Sequence, residues 1–291
     1  MSAAAWSSDQ YERFKAERMQ PFRDLVSLLE RRPGLRIVDL GCGTGEQTRE
    51  LHDALGAAET VGIDSSEAML KKSDAFAGGG LRFERGDIET FASDEREVGT
   101  SEYLGTSEYL GSSYGVDVRG GGALATVNAS TCQPARFDVV FSNAALHWVP
   151  DHRALFRRMV GLLADGGQLA VQMPANETHA SHMAAAEVAQ ELGIAPRVSP
   201  ILLPEEYAAL LFELGATRQH VRLQIYGHLL DDTRAVVEWV KGSLLTDYQR
   251  QLTPAQYDHF LRLYTDRLIG VLGDHRPFFY TYRRVLLHAA F

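Results

Sequence analysis

The chain is poor in cysteine, in runs of positive charge and in long apolar stretches. Cys42 and Cys132 are the only two cysteines among 291 residues. Two thiols, one of them inside a glycine-rich turn, make neither a disulfide framework nor a metal set, and no metal site is expected. They read as small, partly buried side chains of a reducing compartment. Lys and Arg number 29 against 38 Asp and Glu, a formal net charge of -9. A protein that grips nucleic acid needs several phosphate-neutralising cations on one face, so DNA and RNA are not expected partners. A small anion stays within reach of an acidic protein if a few arginines converge. No stretch approaches the roughly 20 apolar residues that cross a bilayer, and no apolar segment follows a basic start. These absences predict a cytoplasmic protein with no membrane partner and, as the simplest state, a monomer. The length suffices for one substantial core with a smaller cap.

What the chain does have is the run Ile37-Val-Asp-Leu-Gly-Cys-Gly-Thr-Gly45. An apolar strand, Ile37 to Leu40, feeds three alternate glycines where a sharp turn brings backbone N–H groups close to a ligand. Residues 46 to 55 read as a helix, which sets the loop at a positive helix N-terminus. A second strand, Thr60 to Ile63, ends on Asp64, an acid placed to accept hydrogen bonds from ribose hydroxyls. Together these predict a cradle for a nucleotide-type cofactor. Taken singly, the glycines could be an ordinary turn and the strand-end Asp a helix cap.

The organisation supports that expectation. Residues 9 to 31 pattern as an amphipathic helix, and strands then alternate with helices at Ile37 to Leu40, Val61 to Ile63, Leu81 to Glu84, Asp138 to Ser142 and Gln168 to Met173. Such alternation predicts an α/β fold, a Rossmann-like doubly wound, mostly parallel sheet with ligands beyond the strands' carboxyl ends. Two further strands, Val221 to Leu229 and Phe278 to His288, bring the sheet to seven. Residues 233 to 272 read as two helices joined near Thr253-Pro254. The expected domains are an N-terminal helical segment (1–31) over the site, a core (32–231 with 276–291) and a helical cap (232–275). Residues 93–135 interrupt the pattern with a tandem repeat, Gly99-Thr-Ser-Glu-Tyr-Leu104 and Gly105-Thr-Ser-Glu-Tyr-Leu110. This insertion reads as a disordered surface loop, with a lid or docking hairpin as the alternative.

The spacing Gly41-x-Gly43-x-Gly45 is tighter than a dinucleotide fingerprint requires. Preceded by Asp39, it resembles motif I of the S-adenosylmethionine-dependent methyltransferases. The resemblance narrows to the trans-aconitate methyltransferase family through several segments: Tyr11-x-x-Phe14 with Glu17-Arg18-x-x-Pro21, Gly62-Ile-Asp64-Ser-Ser-x-x-Met69-Leu70, Asn143-Ala-x-x-x-Trp148-Val-Pro-Asp-His152, Leu169-Ala-Val-Gln-Met-Pro174-x-Asn176 and Val237-Glu-Trp-Val-Lys-Gly242. It covers most of the chain except 93–135. It implies a class I methyltransferase that uses S-adenosyl-L-methionine and releases S-adenosyl-L-homocysteine. The implied cofactor-binding residues are Asp39, Gly41, Gly43, Gly45, Asp64 at the ribose, Ser65, Met69, Asp87 near the adenine amino group, Ile88 and Asn143. Asn143 and His147 are the implied catalytic pair beside the sulfonium. Tyr11, Phe14, Trp148, His182 and Arg284 are the implied contacts to a small-molecule acceptor, an organic acid. Asn143 could equally be a turn residue, and His147 with Trp148 could simply pack against the cap. The chain departs from the family after the Trp-Val block, where Leu244-Leu-Thr-Asp247 replaces Gly-Leu-Arg-Pro. That exchange of an arginine for an acid counts against tricarboxylate recognition.

The reaction implied is displacement at the methyl carbon by a carboxylate. A carboxylate with a pKa of about 4 is already ionised at neutral pH, so no general base is needed. Arg284, with Arg283 or Arg276, would clamp an acceptor carboxylate bidentately. Two alternatives remain at this level. One is a methyltransferase for a phenol, amine or lipid-like acceptor, with His147 or His182 as base. The other is a cofactor-binding regulatory subunit without activity.

Overall fold

The structure is a computed structural model in which residues 15–91 and 136–291 are described. Tyr11, Phe14, the tandem repeat and Cys132 therefore lie outside the described residues. Seven strands, β1 (Arg36–Leu40), β2 (Glu59–Asp64), β3 (Leu81–Arg85), β4 (Phe137–Asn143), β5 (Leu163–Pro174), β6 (Arg218–Leu230) and β7 (Phe278–Ala290), form one sheet in the order β3-β2-β1-β4-β5-β7-β6. Strands β1 to β5 are parallel to their neighbours, and β7 is antiparallel between β5 and β6. The helices are α1 (Lys15–Val26), α2 (Glu46–Leu55), α3 (Glu67–Ser73), α4 (Ile88–Phe91), α5 (His152–Gly161), α6 (Ala180–Glu191), α7 (Pro204–Glu213), α8 (Ala235–Lys241), α9 (Leu244–Gln251) and α10 (Pro254–Leu272). The expected mostly parallel, seven-stranded α/β sheet is the one observed.

The central strands are apolar along most of their length because helices cover both faces. On one face, Phe22 and Leu25 of α1 and Leu51 and Leu55 of α2 pack on Ile37, Phe141, Ala170 and Leu286. On the other, Phe156 and Met159 of α5 and Tyr207 and Leu211 of α7 pack on Val38, Val140, Val171 and Leu287. Strand alternation then dictates what stands at the ligand end. Two residues beyond Phe141, Ala170 and Leu286, toward the carboxyl ends of the parallel strands, the α1–α2 face carries Asn143, Gln172 and Arg284. The apolar layer thus gives way to a polar one where the sheet opens.

The cap has a core of its own. Val188 of α6, Trp239 and Val240 of α8, Tyr248 of α9 and Phe260, Tyr264 and Leu268 of α10 cluster with Tyr226, Tyr280 and Tyr282 from β6 and β7. Three helices build it where two were expected. The extra break falls at Gly242-Ser243, where Ser243 leaves the helical region at φ -135 and ψ -83. The anticipated joint is real, since Thr253 and Gln256 form a reciprocal cap with Pro254 in the first turn of α10. The N-terminal helix ends at Val26, earlier than its pattern suggested. Leu28 and Leu29 donate to the carbonyls three residues back, and Ser27 Oγ donates to the Asp24 carbonyl at 2.7 Å, tightening the last turn until it stops.

Candidate active site

The carboxyl ends of β1, β2, β4 and β5 and the amino-terminal half of the antiparallel β7 open into a cavity of about 640 Å³, within the range of small-molecule sites. Its lining includes Gly41, Gly43, Asp64, Ser65, Met69, Asp87, Ile88, Asn143, His147, Trp148, His182 and Arg284. These are most of the residues expected from the sequence. Of the expected residues that are described, the two that do not line it, Asp39 and Gly45, act from behind. Asp39 is buried and accepts a hydrogen bond from Thr48 Oγ1 at 2.7 Å, which ties β1 to α2. Burial, offset in part by Thr48 and reinforced by Asp64, pushes its carboxyl up to about 7. Gly45, at φ 80, begins α2, and a Cβ there would meet Phe83 at 2.6 Å and Ser73 at 2.7 Å.

The glycine loop is fixed from two sides. Gly41 and Cys42 donate their N–H groups to the Ile63 carbonyl at 2.8 and 3.0 Å. Gly43 donates to Asp64 Oδ2 at 2.9 Å, while Ser66 donates to Asp64 Oδ1 at 2.8 Å. Asp64, which lines the cavity, is therefore held in place by a backbone N–H on each carboxylate oxygen. Asp87 is held in the same way by the Glu89 N–H at 2.8 Å. Burial and the carboxylates of Asp39 and Asp64 push the Cys42 thiol up, so it stays protonated and unreactive.

Charge divides the cavity. The acids that line it, Glu46, Asp64, Asp87 and Glu89, come from the β1–β3 half, and the arginines, Arg197, Arg250 and Arg284, come from the other half. Arg197 and Arg250 carry no recognisable signal in the sequence. Arg197 lies in a segment without periodicity after α6, and Arg250 sits on a cap helix. Arg197 is pinned on three sides: its Nε donates to Asp247 Oδ2 at 2.8 Å, its backbone N–H donates to the Tyr248 hydroxyl at 3.2 Å, and its guanidinium lies 5.4 Å over the Trp148 ring. Arg284 is half-buried, stacks 5.1 Å over Tyr282 and donates to Gln172 Oε1 at 3.3 Å. Its Nε has no partner among the described residues, and neither does the buried Nδ1 of His147. Two of the expected clamp residues stand apart. Arg283 does not line the cavity, and Arg276 is exposed beside Asp232.

His147 is a buried imidazole and His182 a half-buried one. Desolvation first, then the arginines Arg284 and Arg197, brings His147 down to about 3, and desolvation with Arg197 and His179 does the same for His182. Both are neutral at physiological pH. Asn143 sits at the end of β4, directly before Ala144, whose φ of 55 places it in the left-handed region. Its side chain donates to Gln47 Oε1 at 2.8 Å and accepts from Gln172 Nε2 at 2.6 Å.

Among known proteins, the sequence model of the methyltransferase domain matches residues 11–216. The chain is 37% identical to trans-aconitate 2-methyltransferase of Deinococcus radiodurans, over 98% of this chain and 97% of that protein. It is 32% identical to the enzyme of the same name from Afipia carboxidovorans, over 91% and 90%. Among solved structures, the YcgJ protein of Bacillus subtilis superposes with a TM-score of 0.52 at 13% identity, covering 94% of this chain and 98% of that one. This chain belongs to the class I S-adenosylmethionine-dependent methyltransferases, in the family of trans-aconitate methyltransferases. The residues present suit that cofactor. Glycines lie where a nucleoside must approach backbone, and Asp64 and Asp87 stand at successive strand ends beside it.

Two measurements check this geometry. At Gly41, φ is 83 and a Cβ would lie 2.2 Å from the Ala145 Cβ, whereas at Gly43, φ is 57 and no heavy atom lies within 4 Å. Gly43→Ala should therefore cost about 1 kcal/mol of stability from backbone strain alone. Gly41→Ala should cost a further ~1–3 kcal/mol from overpacking, visible as a lower thermal midpoint. Similar midpoints for the two variants would contradict the placement of the loop. The second measurement is of pH dependence. His147 and His182 sit at about 3 when folded against an ordinary 6.5. The unfolded chain thus binds more protons between those values, and their contribution to stability, complete above pH 6.5, is lost as pH falls. His182→Gln should flatten the decline of the thermal midpoint between pH 6.5 and 4; an unchanged slope would contradict the neutral assignment.

Proposed function

We propose that the protein methylates a carboxylate of a small organic acid that carries two or more carboxylates, with trans-aconitate, the acceptor in its relatives' names, as the first candidate. The observation that carries this reading is the arginine side of the cavity. Three arginines line it, and among the described residues Asp247 is the one acid paired with them, while the half-buried Arg284 has no carboxylate partner. A partly desolvated guanidinium is satisfied best by a carboxylate, whose two oxygens match its fork. The acid at Asp247 had counted against a polycarboxylate. Its bond to Arg197 Nε and its 3.6 Å approach to Arg250 instead give it the part of orienting those arginines.

S-adenosylmethionine, when bound, supplies a methyl group on a sulfonium, an electrophile that needs no activation by the protein. The chain's residues then have three tasks. Arg284 and Arg197 bind the acceptor's carboxylates and fix which oxygen points across the cavity. Asn143, locked at both ends of its amide, shapes the passage between the two halves. Trp148, Trp239 and Tyr282 wall the passage and keep water from the reacting carboxylate. Alignment of this kind accounts for on the order of 7–11 kcal/mol in well-oriented systems. His147, with its pKa depressed to about 3, is a weak base, which speaks against a phenol or amine acceptor that must lose a proton.

The test is transfer of a labelled methyl group to a panel of mono-, di- and tricarboxylates, with the product expected as a base-labile ester; failure with every acid contradicts the reading. Without a general base, kcat/KM should be level from pH 6 to 9, and a titration limb within that range would point to a histidine base. Arg197→Gln should reduce kcat/KM for a polycarboxylate by roughly 10- to 100-fold, the equivalent of about 1.5–3 kcal/mol for a charge-assisted hydrogen bond. Homocysteine-cofactor affinity in the same variant should stay within about threefold of the parent, because Arg197 lies in the other half of the cavity.

A further inference from the structure

The polar layer above the core is a single directional chain. Arg284 Nη1 donates to Gln172 Oε1 at 3.3 Å, Gln172 Nε2 donates to Asn143 Oδ1 at 2.6 Å, and Asn143 Nδ2 donates to Gln47 Oε1 at 2.8 Å. Gln47 Nε2 in turn reaches Met19 Sδ of α1 at 3.2 Å. A guanidinium has donors only, so it forces the oxygen of Gln172 toward itself. That sets the amide of Gln172, which sets that of Asn143, which sets that of Gln47. Three carboxamides on three elements thus take their orientation from one cation, and bonds in such a chain reinforce one another. The chain begins at the arginine that faces the acceptor and ends on the second residue of α2, directly behind the glycine loop. Gln172 is 1% exposed, so it has no water with which to replace a lost partner.

We infer that Gln172 and Gln47 are positioning residues that link the two halves of the cavity, so that an acid held by Arg284 and a nucleoside held by the glycine loop strengthen each other's binding. The inference rests on the proposed acid-binding role of Arg284. A carboxylate on the open side of Arg284 fixes the guanidinium, and through Gln172 and Asn143 fixes Gln47 where it lines the nucleoside end. A nucleoside that orders Gln47 fixes the same amides from the other end and presents Arg284 ready oriented. Linkage requires the two effects to be equal in size.

The experiment is calorimetric titration of the full chain with S-adenosylhomocysteine, which cannot react, in the presence and absence of saturating trans-aconitate. For the unaltered protein the acid should tighten the nucleoside's Kd by about fivefold or more, and the nucleoside should tighten the acid's Kd by the same factor. In Gln172→Leu and, independently, in Gln47→Met, that factor should fall to below about twofold, whatever happens to either Kd alone. The ratio separates linkage from damage, since a merely loosened fold weakens each ligand without changing how one responds to the other. Gln47→Met carries added weight because its position is remote from the acceptor arginines. An unchanged factor in both variants, or no coupling in the unaltered protein, overturns the inference and leaves the carboxylate reading standing. Failure of the acid to bind at all, with or without the nucleoside, overturns both.

Discussion

One guanidinium organises the ligand end of this protein. Arg284 stands on β7, half-buried at the cavity wall, with Tyr282 against its face and Gln172 as its hydrogen-bond acceptor. Desolvation of that group is costly, and the surrounding structure offers it an aromatic face and one amide oxygen rather than a counter-ion. Among the described residues, no carboxylate pairs with it. The same cation fixes the sense of three neighbouring amides, helps to hold His147 neutral and leaves an Nε atom unfilled. The proposed polycarboxylate acceptor, base-free mechanism and linkage between the two ligands are all argued from that imbalance.

The fold makes such a position possible. In a parallel sheet covered on both faces, the strands must be apolar along most of their length, and polar chemistry is confined to the ends. Here the change occurs within two residues on each strand, from Phe141 to Asn143, from Ala170 to Gln172 and from Leu286 to Arg284. Because β7 runs against its neighbours, Arg284 lies near the start of its strand yet reaches the same edge as the ends of β4 and β5. The cap then closes this edge with its own aromatic core and contributes Asp247 and Tyr248, the side chains that hold Arg197.

Much of this was legible in the sequence where the physics is local. Strand patterning and the Gly41-x-Gly43-x-Gly45 spacing led directly to the sheet, the turn and the acids at Asp64 and Asp87, because the residues concerned are close in the chain and constrained by backbone geometry. Asn143, His147 and His182, singled out in the sequence, line the same cavity. Long-range pairings were not legible. Arg197 and Arg250 lie on segments whose relation to the site is set by how the cap packs, and nothing in their neighbourhoods announces it. Asp247 was read as a loss of positive charge when its structural effect is to aim two arginines. Gln172 was visible only as one letter of Val171-Gln-Met-Pro174, since the meaning of an amide depends on partners 29 and 112 residues away. The break at Gly242-Ser243, which turned two cap helices into three, belongs to the same class of local exceptions that periodicity overrides.

The central claim is that the arginine half of the cavity holds the acceptor's carboxylates. It is tested most directly by a crystal structure of the protein with S-adenosylhomocysteine and trans-aconitate. The account predicts one carboxylate within hydrogen-bond distance of the Arg284 guanidinium, a second on the amino groups of Arg197, and a third carboxylate oxygen directed across Asn143 toward the homocysteine sulfur. An acid bound away from both arginines, or a cavity that excludes it while the nucleoside is in place, would contradict it.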